Sequence, residues 1–465
     1  MPPSRDTATR VGVLTPAGML GAGFTPESVE RGLTLGPDVI AIDGGSTDSG
    51  PYYLGAGLPK TTAAAVRRDL RILLKAAAAA DIPLVVGSCG TSGTDSGVDW
   101  VAGIAEDVMA EEGLDLRIAR VYSEQDTAVL KEHLDAGRIH PLAPHGPLRA
   151  EILESCTHVV GMMGHEPLAD ALRAGAQVVL AGRATDTALA AVVPLMRGMP
   201  AGPAWHAAKI VECGGQATTD PRLGGVFATV DHDGFVIEPL DPDNVCTPHS
   251  VAAHMLYETA DPHRMREPAG TLDVTDAVYT ALDHRRVRVE GSRFEPADRH
   301  TIKLEGARVT GYETVSFTGI RDPHITAHIE EWATCLRAVL TDRVRQTLAL
   351  NDDDYGLDIR LYGHNAVLDD IEPDPTPPRE VGVMLVVNAP AQNTATAIAK
   401  VANPLMLHLP LPDMPYLPSL AFATSPAETE RGAAYEFVLN HAVDVDDPTA
   451  LFRTEHSHPR EATHA

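Results

Sequence analysis

The chain is short of positive charge. Its 465 residues carry 37 Lys and Arg against 64 Asp and Glu, a formal net charge of −27 at pH 7. Nucleic acid needs a basic face for its phosphates, and an anionic membrane surface needs the same, so no nucleic-acid and no membrane partner is expected. A small anionic substrate stays open, because a few arginines can set the sign inside one pocket. Aromatic residues are scarce too, at 5 %. Alanine and glycine are plentiful instead, which suits helices lying close on a sheet. The five cysteines, Cys89, Cys156, Cys213, Cys246 and Cys335, are odd in number and none has C-x-x-C spacing. That argues against a disulfide framework or a zinc ribbon and for reduced thiols. The start, Met1-Pro-Pro-Ser-Arg-Asp6, lacks an apolar signal core, and no run approaches membrane-span length. A cytoplasmic protein is the expectation.

Several motifs are missing as well. The run Gly18-Met-Leu-Gly-Ala-Gly23 after the first strand is not Gly-x-Gly-x-x-Gly, which disfavours a nicotinamide enzyme. The glycine-rich stretch Gly87-Ser-Cys-Gly-Thr-Ser-Gly-Thr-Asp95 has no Gly-Lys-Ser/Thr and no Gly-x-Ser-x-Gly, so it is neither a phosphate loop nor a nucleophile elbow. Twenty histidines give no His-Glu-x-x-His or other ligand spacing. No particular metal is therefore inferred, although a divalent ion remains possible.

What is present is a regular alternation. Short apolar runs at 10–15, 39–42, 82–87, 116–122, 157–161 and 177–180 read as strands. Helical patterns at 26–33, 61–80, 98–112, 126–136, 166–174 and 185–195 separate them. The segment 61–80 is Ala-rich, without a breaker, and carries Val66, Leu70, Leu73 and Leu74 on one face. This alternation predicts an α/β fold: a parallel sheet with helices on both faces, followed by a smaller α+β C-terminal module. The expected domains are 1–223, holding that sheet and the main ligand rim, 224–372, a mixed α/β continuation, and 379–453, the small module. The Pro-rich, acidic stretch Glu372-Pro-Asp-Pro-Thr-Pro-Pro378 reads as a linker. The polar tail after Thr454 reads as frayed.

Right-handed crossovers put the carboxyl ends of parallel strands on one edge, where open α/β sheets bind ligands. The chemically rich loops all follow strands. The first is Asp43-Gly-Gly-Ser-Thr-Asp-Ser-Gly-Pro-Tyr-Tyr53. Its Asp43 and Asp48 are candidate bases or metal ligands, and Gly44, Gly45, Ser46 and Thr47 are candidate donors to an oxyanion; Asp-Gly and Ser-Thr-Asp are also ordinary turn chemistry. In the second, Ser88, Cys89, Gly90 and Thr91 are expected to line a ligand. Cys89 serves as a nucleophile only if its pKa is lowered, and otherwise as a small buried residue. In the third, Ala181-Gly-Arg-Ala-Thr-Asp-Thr187, Arg183 sits at a helix mouth and is the candidate grip for a carboxylate or phosphate, with Asp186 beside it. His165, followed by Glu166, is a further substrate-binding candidate. Glu212, next to Cys213, is a candidate proton carrier or metal ligand. The islands 246–254, 303–306 and 319–323 either complete the pocket or pin turns.

These stretches resemble a known family. Asp43–Gly55, Gly182-Arg-Ala-Thr-Asp186, Lys209-Ile-Val-Glu-Cys-Gly214, Thr247-Pro-His-Ser-Val-Ala-Ala-His-Met-Leu-Tyr257 and Lys303-Leu-Glu-Gly-Ala307 are similar to the acyclic terpene utilisation AtuA family. So are Leu407-His-Leu-Pro410 and Gly432-Ala-Ala-Tyr-Glu-Phe-Val-Leu-Asn-His441. The likeness runs from about residue 11 to 452. It implies a catabolic or metabolic enzyme on small branched carboxylic acids or their CoA thioesters, with CoA then part of the substrate. The same likeness implies other small residues at position 89, which weakens Cys89 as a nucleophile.

The leading expectation is a lyase of hydratase, dehydratase or retro-aldol type. Asp43, Asp48 or Glu212 would move the proton, while Arg183 and the N–H groups of Gly44, Gly45 and Gly90 hold the carboxylate or enolate. One alternative is an acyl-transfer or hydrolytic enzyme with Ser46, Ser88 or Cys89 as nucleophile. The other is a non-catalytic ligand-binding or scaffold subunit of a degradative complex. A homo-oligomer is expected from size alone.

Overall fold

The structure is a computed structural model that describes residues 9–372 and 377–458. Of the expected linker, residues 373–376 lie outside the described residues, as do the first eight residues and the last seven.

Strands β1 (Arg10–Thr15), β2 (Val39–Asp43), β3 (Leu84–Gly87) and β4 (Ile118–Tyr122) alternate with helices. Two more, β5 (Ile139–Pro141) and β6 (His158–Met162), leave this series, and β7 (Val178–Ala181) resumes it. Then come β8 (Val226–Asp231), β9 (Gly234–Pro239), β10 (Arg264–Glu267), β11 (Gly270–Asp273), β12 (Val278–Ala281), β13 (Val287–Glu290) and β14 (Arg293–Pro296). The long β15 (His300–Ile320) is followed by β16 (Gly356–Tyr362), β17 (Val381–Ala389), β18 (Ala421–Phe422), β19 (Glu428–Val445) and β20 (Arg453–Ser457).

The expected α/β architecture is present. The largest sheet runs β12-β13-β9-β8-β1-β2-β3-β7-β4-β20 among the described residues. Its centre, β1-β2-β3-β7-β4, is parallel. The central strands β2, β3 and β7 are buried along their whole length, so their sequences are near-continuous apolar runs rather than alternations. Successive residues feed opposite cores. Val39, Ala41, Val85, Val179 and Ala181 pack with the helices Glu166–Arg173, Asp186–Met196 and Ala201–Val211. Ile40, Ile42, Leu84, Val86 and Leu180 pack with the helices Pro26–Thr34, Ala63–Ala80 and Asp95–Glu112. In Ala63–Ala80 the Thr62 side chain caps the first turn and Val66, Leu70, Leu73 and Leu74 are buried, so the apolar spacing alone locates its inner face.

Three sequence expectations are corrected. The segment 157–161, read as one of six parallel strands, lies largely in β6, which instead pairs antiparallel with residues 303–307 of β15. The tail is ordered further than expected: β20 pairs antiparallel with β4 along 118–122. The boundary at 224 falls inside one unit, because β8 hydrogen-bonds antiparallel along the whole of β1. The compact units are 1–308 with 437–465, and 309–436. That division replaces 1–223, 224–372 and 379–453.

The second unit has its own core. Its sheet β16-β17-β15-β19 is antiparallel where β17 meets β15 and β16. Alternate residues of β17 are buried, and Trp332, Leu336 and Leu340 of the helix Ile329–Leu348 pack with Ile398 and Leu405 of Gln392–His408. Among the described residues no helix is long and apolar enough to cross a membrane.

Candidate functional site

The strand order β2-β3-β7 sets the three glycine-rich loops side by side at the carboxyl edge of the sheet. They interlock through backbone. The Gly44 N–H donates to the Gly87 carbonyl at 2.7 Å, Ser88 N–H to Gly182 at 2.9 Å and Cys89 N–H to Ala181 at 3.0 Å. A Cβ on Gly44 would sit 2.6 Å from the Gly87 oxygen, and one on Gly93, at φ +71°, would sit 2.1 Å from the Arg183 nitrogen. Side chains are excluded there by contact, not by loop flexibility.

A cleft of about 600 Å³ opens at this edge. Asp43, Gly45, Ser46, Asp48 and Lys60 line it together with Asp186, Cys213, Tyr257 and Glu258, and Ala17, Gly18, Met19, Ala22 and Gly23 complete the wall. An adjoining hollow of about 230 Å³ shares Asp48, Asp186 and Glu258 and adds Arg183, Lys209, Glu212 and Glu267. Asp48 also borders a third hollow with Thr47, Lys303 and Glu305.

Asp43 is the last residue of β2, 7 % exposed, and accepts from Gly44 N–H at 2.9 Å. Burial, then repulsion from Asp186, holds its carboxyl well above the usual range. Asp186 opens the helix Asp186–Met196 behind the Thr185 cap. Its carboxyl is raised as well, by burial first and by Glu258 and Asp48, with Arg183 opposing. Two neighbouring carboxyls that are desolvated and repel each other resist ionising together. Burial also lifts Glu212 to about 8, against Lys209, and Glu267 to about 7, against Thr187, which donates to it at 2.6 Å.

Arg183 is not the free substrate grip the sequence suggested. It is 5 % exposed; its Nε donates to Glu305 at 2.9 Å and its Nη1 to Ser88 Oγ at 3.3 Å and the Ala184 carbonyl at 3.1 Å, with Asp186 at 3.5 Å. Burial opposes its charge, but Glu305 and Asp186 outweigh that and keep it cationic. Glu305 also accepts from Thr47 at 3.1 Å and from Lys303 at 2.7 Å. Burial would raise its carboxyl; Arg183 and Lys303 instead hold it at about 2. Arg183 thus ties the loop after β7 to β15.

Cys89 is fully buried in the apolar core, with its thiol facing the Val86 carbonyl. Burial and Asp43 push its pKa up, the reverse of what a nucleophile needs. Gly90 packs on Gly97, and the Thr91 hydroxyl is held by the Lys60 N–H at 2.9 Å. The Gly44 N–H, being spent on Gly87, does not face a ligand. His165 packs edge-on against Trp205 and, held at about 4 by burial, is not among the residues lining the cleft. The candidates brought together are therefore Asp43, Gly45, Ser46, Asp48 and Asp186, with Arg183 and Glu212 in the adjoining hollow.

Sequence reasoning missed Lys60, Glu258, Glu267 and Glu305 as site residues. Glu305 lay in a flagged polar island. Glu267 ends an ordinary-looking edge strand, and Lys60 stands in a Pro-Lys-Thr-Thr stretch that reads as solvent-facing.

Residues 61–415 match the profile of a family described as acyclic terpene utilisation family protein AtuA. The chain belongs to this family. The AtuA match takes in Arg183, Asp186, Glu212, Cys213, His254, Glu267 and Glu305; the loop carrying Asp43 and Asp48 lies before it. AtuA membership carries a metabolic role in acyclic terpene utilisation. No curated protein and no solved structure matches this AtuA chain.

Proposed function

We propose that the chain is a lyase of hydratase or dehydratase type acting on a small branched carboxylic acid or its CoA thioester. One observation carries the reading: Asp43 at the end of β2 and Asp186 after β7, two strands along the same edge, open on the same cleft and are both held above the ordinary carboxylate range. In such a pair one carboxyl is an acid while the other is a base. For dehydration the ionised member removes the proton α to the carbonyl and the protonated member gives its proton to the β-hydroxyl. The C–H and C–O bonds break, the C=C bond forms and water leaves. Lys60, whose Nζ donates to Ser49 at 2.9 Å on the cleft wall, supplies the cation that an anionic substrate meets first.

The test is proton exchange in D₂O, followed by NMR, on a panel of branched acids and their CoA thioesters. Asp43→Asn is expected to lower exchange on the order of 10²–10⁴-fold. Exchange at the wild-type rate in both Asp43→Asn and Asp186→Asn would overturn the reading. A second reading rests on Ser46, whose hydroxyl donates to Asp48 at 2.8 Å in the cleft. A covalent acyl adduct on Ser46, seen by mass spectrometry, would move the reaction to acyl transfer.

A further inference from the structure

Where the helix Ala201–Val211 ends, Glu212 and Cys213 follow directly, and the helix Pro248–His254 brings His254 against them. One carboxylate oxygen of Glu212, the Cys213 thiol sulfur and one ring nitrogen of His254 lie within 4.8 Å of one another. We propose that these three residues form a binding site for a borderline-soft divalent cation, with zinc as the expected occupant. The site goes beyond the proton-transfer reading and does not depend on it.

The donor set is the first argument. One thiolate, one imidazole and one carboxylate suit Zn²⁺ and disfavour Mg²⁺ or Ca²⁺, which take oxygen ligands. The second is an unanswered donor. His254 is 4 % exposed, and its Nε2 is buried with no hydrogen-bond partner. A buried imidazole nitrogen without a partner costs free energy that a metal bond would recover. The third is fit. Tetrahedral zinc, with bonds of about 2.0–2.3 Å, sets its ligands about 3.5 Å apart, so small side-chain movements close the triad.

Glu212 is already oriented, since Lys209 holds its Oε1 and also donates to the Tyr257 carbonyl at 3.0 Å. Ligating carboxylates are commonly fixed in this way, and the second oxygen remains for the ion. The Lys209 charge opposes a cation. Asp186 and Glu258, which line the cleft with Cys213, and Glu267, which lines the hollow with Glu212, offset it. Cys213 faces the large cleft and Glu212 the small one. Three protein ligands would thus leave a coordination position on the cleft side, the arrangement of a catalytic rather than a structural zinc.

The experiment is a Co²⁺ titration of the chelator-treated full chain, read by absorbance. Wild type is expected to take one equivalent and to develop a near-ultraviolet thiolate-to-cobalt charge-transfer band that added Zn²⁺ abolishes. Cys213→Ser should lose the band while retaining its thermal melt, and His254→Gln should weaken Co²⁺ binding at least about ten-fold. Cys89→Ser and Cys246→Ser should keep the band. Asp43→Asn should keep it too, even where it abolishes proton exchange, which separates this site from the lyase reading. No thiolate band at saturating Co²⁺ in wild type, or a band that survives Cys213→Ser, overturns the proposal.

Discussion

Glu305 and Glu267 are buried carboxyls pushed in opposite directions, and each leaves a mark on stability. Glu305 has cations on both oxygens and is held at about 2. Its stabilisation is present above the ordinary carboxylate value and is lost as pH falls toward 2, by about 3 kcal/mol at about 1.4 kcal/mol per pKa unit. Glu305→Ala would leave Arg183 buried without its main partner, and an urea melt at pH 7 should show a loss of about 3–5 kcal/mol. Glu267 is the converse. Burial lifts it to about 7, so the folded chain gains protons there relative to the unfolded one and loses stability as pH rises from about 4.5 through 7. In chelator-treated protein, Glu267→Gln should flatten that fall and melt higher than wild type at pH 8 but not at pH 5. Equal melting differences at the two pH values would show that Glu267 is not the titrating group. Neither acid could be read from sequence. Position 305 was visible as a polar residue in an apolar stretch and as part of a family-like motif, neither of which names its partners, and 267 looked like any strand-edge glutamate. Their partners, Arg183 and Thr187, lie 122 and 80 positions away.

Loops and strands are where reading and structure agree most closely, and the disagreements have physical causes. The strand-end positions of Asp43, Ser88 and Arg183 were legible because a parallel sheet must put those ends on one edge. Which N–H groups stayed free was not, since that depends on contacts between loops. Gly93 shows how tightly these elements are fitted. Gly93→Ala should lower the melting temperature by more than an ordinary surface substitution, because both its φ and its distance to the Arg183 backbone forbid a side chain. A melt within error of wild type would show that the loop yields. The strand β20 escaped the sequence reading because Arg-Thr-Glu-His-Ser has no apolar alternation. Its role is to pair with β4, and Arg453 lies 3.8 Å over the Tyr122 ring. A chain ending at Phe452 exposes the β4 edge, and light scattering should detect aggregation at concentrations where the full chain is clear.

At the scale of the whole molecule, the α/β plan with a separate C-terminal module was legible from the alternation and its breakdown after residue 224. The true boundaries were not, because a return of the chain to an earlier sheet leaves no mark in composition. Each unit has its own apolar core, and Trp332 is buried in the second with its indole N–H donating to the Leu409 carbonyl at 2.9 Å. Trp205 is buried in the first. Fluorescence of a chain retaining only Trp332 should follow a denaturant midpoint different from that of a chain retaining only Trp205; coincident curves would show that the two cores melt as one. The first unit is also discontinuous, since residues 437–465 return to it after 309–436. A ribosome emits the chain from one end, at about 5–20 residues per second. The nascent sheet therefore waits on the order of ten seconds with its β4 edge uncapped while the second unit is made. During that interval the protein depends on whatever shields an open strand in the cell, and the arrival of β20 ends the exposure.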